Sequence, residues 1–343
     1  MPKTFLTVFL LFFVTPFFTG CRNSSTIDRK EQAADTIKNK LEWLNKQIAV
    51  NASASHLYNA RAQFFLGDHQ FDKALKDINK AISINSRNSS FYTTLSDIYL
   101  LMGQPQNCRD ALSQAISVNP QDKEAWLKLA KLYLIIKDYR NCYSSIRQLL
   151  LLDNSIASAY FTRAIGLLEQ GDTNRAVTDL MQAVDKNQEY YEAYMQLGEL
   201  YSIKRDPLAV SYLKNAIHIR PQSREALYLL GLYYQETSQY EKAIHIYMEL
   251  SQTDTVFREA PYNIGYIYLV YLKDFKKAIP FFTESLKKDP GYYQAYFNRG
   301  YAYELCGDYK NAMEDYQRSL KIKVNYDKAV EGLNRIDKKK IRP

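Results

Sequence analysis

From Tyr293 to Val324, small and large apolar positions recur every third and fourth residue in two short runs. Tyr296, Gly300 and Tyr303 are spaced i, i+4, i+7, and Ala312, Tyr316 and Ser319 repeat that spacing. Each trio therefore falls on one face of an amphipathic helix. Gly307-Asp308 between them predicts a turn, with Asp308 as N-cap of the second helix. The unit is a helical hairpin. Neither helix can bury its apolar stripe alone, so the hairpin needs neighbours.

Those neighbours recur at a period of about 34 residues. The leading aromatic returns as Tyr58, Tyr92, Trp126, Tyr160 and Tyr194, then weakens to Leu227 and Pro261 before Tyr296. Four residues on stands a small side chain: Ala62, Ser96, Ala130, Ala164, Gly198, Gly231, Gly265 and Gly300. Three further on, a large one follows: Phe65, Tyr99, Tyr133, Leu167, Tyr201, Tyr234, Tyr268 and Tyr303. The second helices carry a small column of Ala74, Cys108, Cys142, Ala176, Ala209, Ala243, Ala278 and Ala312. Small residues let helix backbones approach, and the large ones fill the space beside them. One residue is lost near Arg205-Asp206-Pro207 and one gained near Lys273-Asp274, both expected in turns. Pro280 falls inside a second helix and predicts a kink.

The alternation of aromatic and small positions resembles the tetratricopeptide repeat (TPR) family, over roughly Ser55 to Tyr326. The family's closing Pro is matched by Pro120, Pro221 and Pro290 and replaced in the other repeats. The resemblance implies an all-α chain, an α-solenoid of about eight helix-turn-helix repeats forming a right-handed superhelix. It also implies a scaffold rather than an enzyme, binding peptide or helix segments of other proteins in the groove lined by the first helices. Phe161, Met195, Tyr228, Leu232, Tyr262, Tyr266, Leu269, Phe297 and Tyr301 lie off the packing columns of those helices and are the candidate groove residues. The carboxylate clamp of chaperone-binding TPRs uses Lys, Asn and Arg there, so that ligand class is not expected. The stretch Tyr262–Leu272 is apolar nearly all round, and its surplus face predicts an interaction site. A homodimer is an alternative cover for it, and aromatic stacking on glycan or peptidoglycan fragments is a second reading of the whole groove.

A correlation within the repeats stands without the family. Arg61, Arg163 and Arg299 precede the small residue of their first helix, and Asp77, Asp179 and Asp315 stand sixteen residues later. In the other five repeats both sites are uncharged. A lone half-buried charge is costly, so the matching predicts three structural Arg–Asp pairs.

The ends add an address. Lys3 precedes an apolar run from Phe5 to Phe18, too short to span a bilayer as a helix, followed by Thr19-Gly20-Cys21. The arrangement resembles a bacterial lipobox, with Phe18 where Leu is usual, and implies acylation of Cys21. Two or three acyl chains hold a protein firmly on a bilayer. By the same resemblance Arg22, in place of Asp, implies transfer to the outer membrane. The absence of an acidic cluster over Arg22–Thr26, unlike some Bacteroidota surface lipoproteins, implies an array facing the periplasm. The expected domains are a signal peptide (1–20), a tether with an N-terminal helix (21–54), the repeats (55–324) and a capping helix with a basic tail (325–343).

The net charge of +8 does not point to nucleic acid, because Lys and Arg alternate with Asp and Glu except at Lys338-Lys339-Lys340-Ile341-Arg342. The four His share no metal-ligand spacing, and no phosphate-binding loop or nucleophile motif occurs. Neither a metal nor a cofactor is expected. Cys108 and Cys142 are expected as buried free thiols, since equivalent second helices stand too far apart for a disulfide.

Overall fold

The computed structural model describes residues 39–340. The chain divides into two compact units, residues 1–132 and 133–343. Every element among the described residues is helical. The first unit holds α1 (39–50), α2 (Ser55–Gly67), α3 (Phe71–Ile84), α4 (Ser89–Leu101), α5 (Pro105–Val118) and most of α6 (Lys123–Ile135). The second holds α7 (Tyr139–Leu152), α8 (Ala157–Glu169), α9 (Thr173–Lys186), α10 (Tyr191–Ile203), α11 (Leu208–Ile219), α12 (Arg224–Glu236) and α13 (Tyr240–Thr253). It continues with α14 (Glu259–Tyr266), α15 (Phe275–Lys288), α16 (Tyr293–Leu305), α17 (Tyr309–Ile322) and α18 (Asp327–Lys340). Helices of about this length are marginal alone in water, so each is held by its neighbours.

In the first unit Leu44 and Ile48 of α1 close the core over Tyr58, Ala62, Ala74 and Ile78. Trp43 points away and is exposed. In the second unit the small column of the first helices is matched by the side chain it meets on the second. Ala164 shares a core with Leu180. Glycine appears where the facing residue presses hardest. A β-carbon would stand 2.6 Å from Leu213 at Gly198, 2.5 Å from Tyr247 at Gly231 and 2.9 Å from Phe282 at Gly265. Tyr247 and Phe282 are fully buried, so two large rings are accommodated by two missing methyl groups.

One residue of each hairpin turn takes the left-handed conformation: His69, Gly103, Lys137, Gly171, Arg205, Ser238, Lys273 and Gly307. The following N–H then returns to the last turn of the first helix, as from Asp138 to the Tyr133 carbonyl (2.8 Å) and from Asp308 to that of Tyr303 (2.9 Å). This is the 6→1 bond that ends a helix at a left-handed residue. In the first hairpin the turn opens at Gly67-Asp68, and His69 supplies the positive φ. Asp138, Asp172, Asp274 and Asp308 next accept the N–H three residues on, capping the second helices.

One expectation is corrected. The residue gained in the seventh repeat is absorbed inside the first helix rather than in its turn. After α14 the chain widens into a π-turn over Ile267–Tyr271, and the Leu272 N–H reaches back five residues to Ile267 (3.0 Å). A π-turn accommodates one extra residue without breaking the helix, which keeps Gly265 over Phe282 and Tyr268 in its column. Pro280 lies inside α15, which runs from Phe275 to Lys288. Pro280 is exposed.

Candidate interaction surface

Each Arg–Asp pair closes as a fork within one hairpin. Arg61 donates from Nε and Nη2 to Asp77 at 2.6 and 2.7 Å, and Arg163 to Asp179 at 2.7 Å from both nitrogens. Arg299 does the same to Asp315 at 2.7 and 2.8 Å. The aspartates are buried and the guanidinium groups half-buried, each near the ring three residues earlier: Tyr58, Tyr160 and Tyr296. The carboxylate bond raises the Arg61 and Arg163 pKa values. The forks join the two helices of a hairpin and leave no free charge for a ligand.

The candidate groove residues separate into three groups. Met195 and Leu269 are buried (8% and 3% exposed) and belong to the packing, a correction to their place on a free face. Leu269 lies against Phe282 in the position that Gln235 and Glu304 take in neighbouring repeats. Phe161, Tyr228, Tyr262 and Phe297 are each sealed by a ring from the turn leading into the next repeat. Their partners are Tyr190 (5.2 Å between centroids), Phe257 (5.5 Å), Tyr292 (4.9 Å) and Tyr326 (5.4 Å). These residues are aromatic staples between repeats. Asn298 also donates to the Tyr262 hydroxyl (2.8 Å), and burial pushes that hydroxyl's pKa up. Leu232, Tyr266 and Tyr301, one turn along the same helices, are half-exposed and form the open row. Tyr266 stacks on Tyr262, and Tyr301 lies parallel to Phe297.

Two features of this face escaped the sequence reading. Glu199 stands on α10 in the column of Ile165, Leu232, Tyr266 and Tyr301, the one charge in that row of the second unit. It has no hydrogen-bond or ion-pair partner among the described residues, and burial raises its pKa. Its signal was available as a carboxylate interrupting an apolar column. The second is Glu304, 5% exposed, which accepts from the Tyr316 hydroxyl (2.7 Å) and from Arg335 of α18 (2.9 Å). Gln235 accepts likewise from Tyr247 (3.3 Å). Where the ring is Phe282 the same site is Leu269, so an acceptor stands only where there is a hydroxyl to satisfy.

Cys108 and Cys142 are buried free thiols, pushed up by burial to about 11 and about 12. Cys306 is an exposed free thiol. No cluster of metal-ligating side chains occurs among the described residues. Cys21 lies outside the described residues.

Tetratricopeptide repeat profiles match residues 89–132, 225–254, 259–292 and 293–326. The chain belongs to the tetratricopeptide repeat family. The C-terminal part of a TPR repeat-containing protein from Cytophaga hutchinsonii superposes with a TM-score of 0.60 at 18% identity, over 69% of this chain and 98% of that one. A tetratricopeptide repeat protein from Parabacteroides merdae gives 0.47 at 15% identity, over 73% and 98%. YrrB, a TPR protein with an unusual peptide-binding site, gives 0.41 at 18%, over 66% and 99%. Of these three, the Cytophaga protein superposes well enough to speak for the fold, and at that identity for the fold alone. No curated protein matches the chain. TPR repeats make this an all-α protein-interaction scaffold, a fold that is typically non-enzymatic.

Proposed function

We propose that the chain is a lipid-anchored scaffold of a bacterial cell envelope. Cys21 carries the acyl chains, and the array faces the periplasm from the outer membrane. Its partner is a protein segment that lays apolar side chains along Leu232, Tyr266 and Tyr301 and presents a Lys or Arg to Glu199. The observation that carries this reading is the half-buried, unpaired carboxylate beside an open apolar row. A buried charge without a partner is costly in the free protein and is repaid when a cation meets it. The glycan reading is weaker, because the rings of Tyr240 and Tyr271 stack on each other and Tyr262 is sealed by Tyr292.

Two experiments in the native host test it. Metabolic labelling with a palmitate analogue marks the wild type and spares Cys21→Ser; equal labelling of both removes the anchor. A photo-crosslinking residue at Tyr301 captures a protein that the same residue at Met248, exposed on α13, does not. Indistinguishable capture at the two sites removes the face.

A further inference from the structure

Two helices of the second unit cross acids with aliphatic side chains on the open face. Glu199 and Ile203 stand four residues apart on α10, and Leu232 and Glu236 hold the same two positions on α12. Residues four apart share one face of a helix. α10 and α12 touch, so the acids fall on one diagonal of the patch and the aliphatic residues on the other. Ile203 (70%) and Glu236 are exposed, and Glu199 and Leu232 are half-buried. Neither carboxylate pairs with a cation among the described residues. α8, α10 and α12 hold no lysine and two arginines, and both arginines are engaged, Arg163 by Asp179 and Arg224 by Asp254. Arg220, ahead of α12, pairs with Glu192, while Lys204 and Arg205 stand in the turn after α10.

We infer that the segment bound here is an amphipathic α-helix carrying two cations about two turns apart. This rests on the reading of the open row as the interaction face. Packed helices stand about 8–10 Å apart, and four residues add about 6 Å along the axis, so the acidic diagonal spans about 10–12 Å. Positions i and i+7 of a helix are about 10.5 Å apart. One Arg or Lys meets Glu199 and the other Glu236, while the apolar face between them covers Leu232, Ile203 and Tyr266. An extended peptide needs side-chain amides for its backbone, and the asparagines of this face are already engaged. Asn298 donates to the Tyr262 hydroxyl, and Asn263 lies within hydrogen-bonding reach of Tyr228 and Tyr247. A helix, whose backbone bonds are internal, needs none of them.

The probe is a labelled synthetic helix of about five turns, with leucines on one face and arginines at i and i+7 beside them. One control moves the second arginine to i+3, and another places a proline at the centre. Fluorescence anisotropy with the full chain carrying Cys21→Ser should show binding of the first peptide that salt weakens. Both controls should bind more weakly by about tenfold or more. Glu199→Gln should cost about tenfold in affinity, and the exposed Glu236→Gln about threefold. Glu199→Lys with Glu236→Lys should instead prefer the peptide with glutamates at both positions, which an unfolded variant would not do. Absence of binding, equal affinity for the proline-broken peptide, or indifference to both glutamines overturns the inference. Capture at Tyr301 in the host does not depend on these peptides, so the scaffold reading stands or falls separately.

Discussion

Tyr247 lies so close over Gly231 that a β-carbon there would stand 2.5 Å from its Cε1. The pair shows how the period tolerates residues of different size. Where the first helix offers Ala164 the second answers with Leu180, and where it offers Gly231 or Gly265 the second answers with a ring. Gly231→Ala should gain up to about 1 kcal/mol of helix propensity. It should lose about 1–3 kcal/mol to overpacking in a fully buried site. The clash wins, and denaturant unfolding should report a net loss. Gly231→Ala with Tyr247→Leu, which copies the Ala164–Leu180 pair, should recover most of it. A stabilised single variant would mean that Tyr247 moves aside at little cost.

Glu304, Tyr316 and Arg335 attach the capping helix to the last repeat. Glu304→Leu leaves the buried Tyr316 hydroxyl without an acceptor, a loss of about 1–3 kcal/mol. Arg335 is half-exposed and can turn to water, so it should add little. Glu304→Leu with Tyr316→Phe recreates the Leu269–Phe282 arrangement of the preceding repeat and should restore much of the stability. A double-mutant cycle by urea unfolding measures this, and additive losses would show that the hydroxyl does not depend on Glu304.

The period, the helix pairs, the Asp308 cap and the Arg–Asp correlation were legible because each depends on contacts inside one hairpin, at fixed spacing. What was missed depends on the neighbouring repeat or on backbone geometry. Tyr262 and Phe297 read as groove residues because the rings that seal them, Tyr292 and Tyr326, belong to the following turn. The left-handed turn position is held by glycine in three hairpins and by His69, Lys137, Arg205, Ser238 and Lys273 in five, so composition conceals it. The extra residue near Lys273 was visible as a count. Its placement at Ile267–Tyr271 was not, because a π-turn has no sequence signature as sharp as a Gly turn.

The Arg299–Asp315 fork predicts strong coupling. Asp315 is buried and Arg299 half-buried, and Arg299 also donates to Thr283 of the preceding repeat (3.0 Å). Asp315→Ala should be the costlier single change, since it leaves a guanidinium beside an apolar core. The cycle with Arg299→Ala should give an interaction of about 0.5–3 kcal/mol. The same cycle on Arg163 and Asp179 should give less, because Arg163 has no second acceptor in the preceding repeat among the described residues. Equal coupling in the two hairpins would assign the whole effect to the fork.

Glu199 separates a binding role from a structural one. Burial raises its pKa in the folded chain, so the fold holds its proton more tightly than the unfolded chain does. Its contribution to stability is therefore greatest at low pH. That contribution declines as pH rises from about 4.3, the unfolded value, through the raised folded value. At neutral pH the ionised carboxylate weakens the free array, and Glu199→Gln should raise the urea midpoint there. The gain should vanish near pH 4, where the wild-type side chain is itself neutral. Capture at Tyr301 should move the other way, because a cation on the partner needs the ionised form. Wild-type capture should strengthen as pH rises through the raised pKa, and Glu199→Gln should remove that dependence and weaken capture at neutral pH. A purely structural carboxylate would alter the midpoint and leave capture unchanged, and that outcome would end the case for a basic residue on the partner.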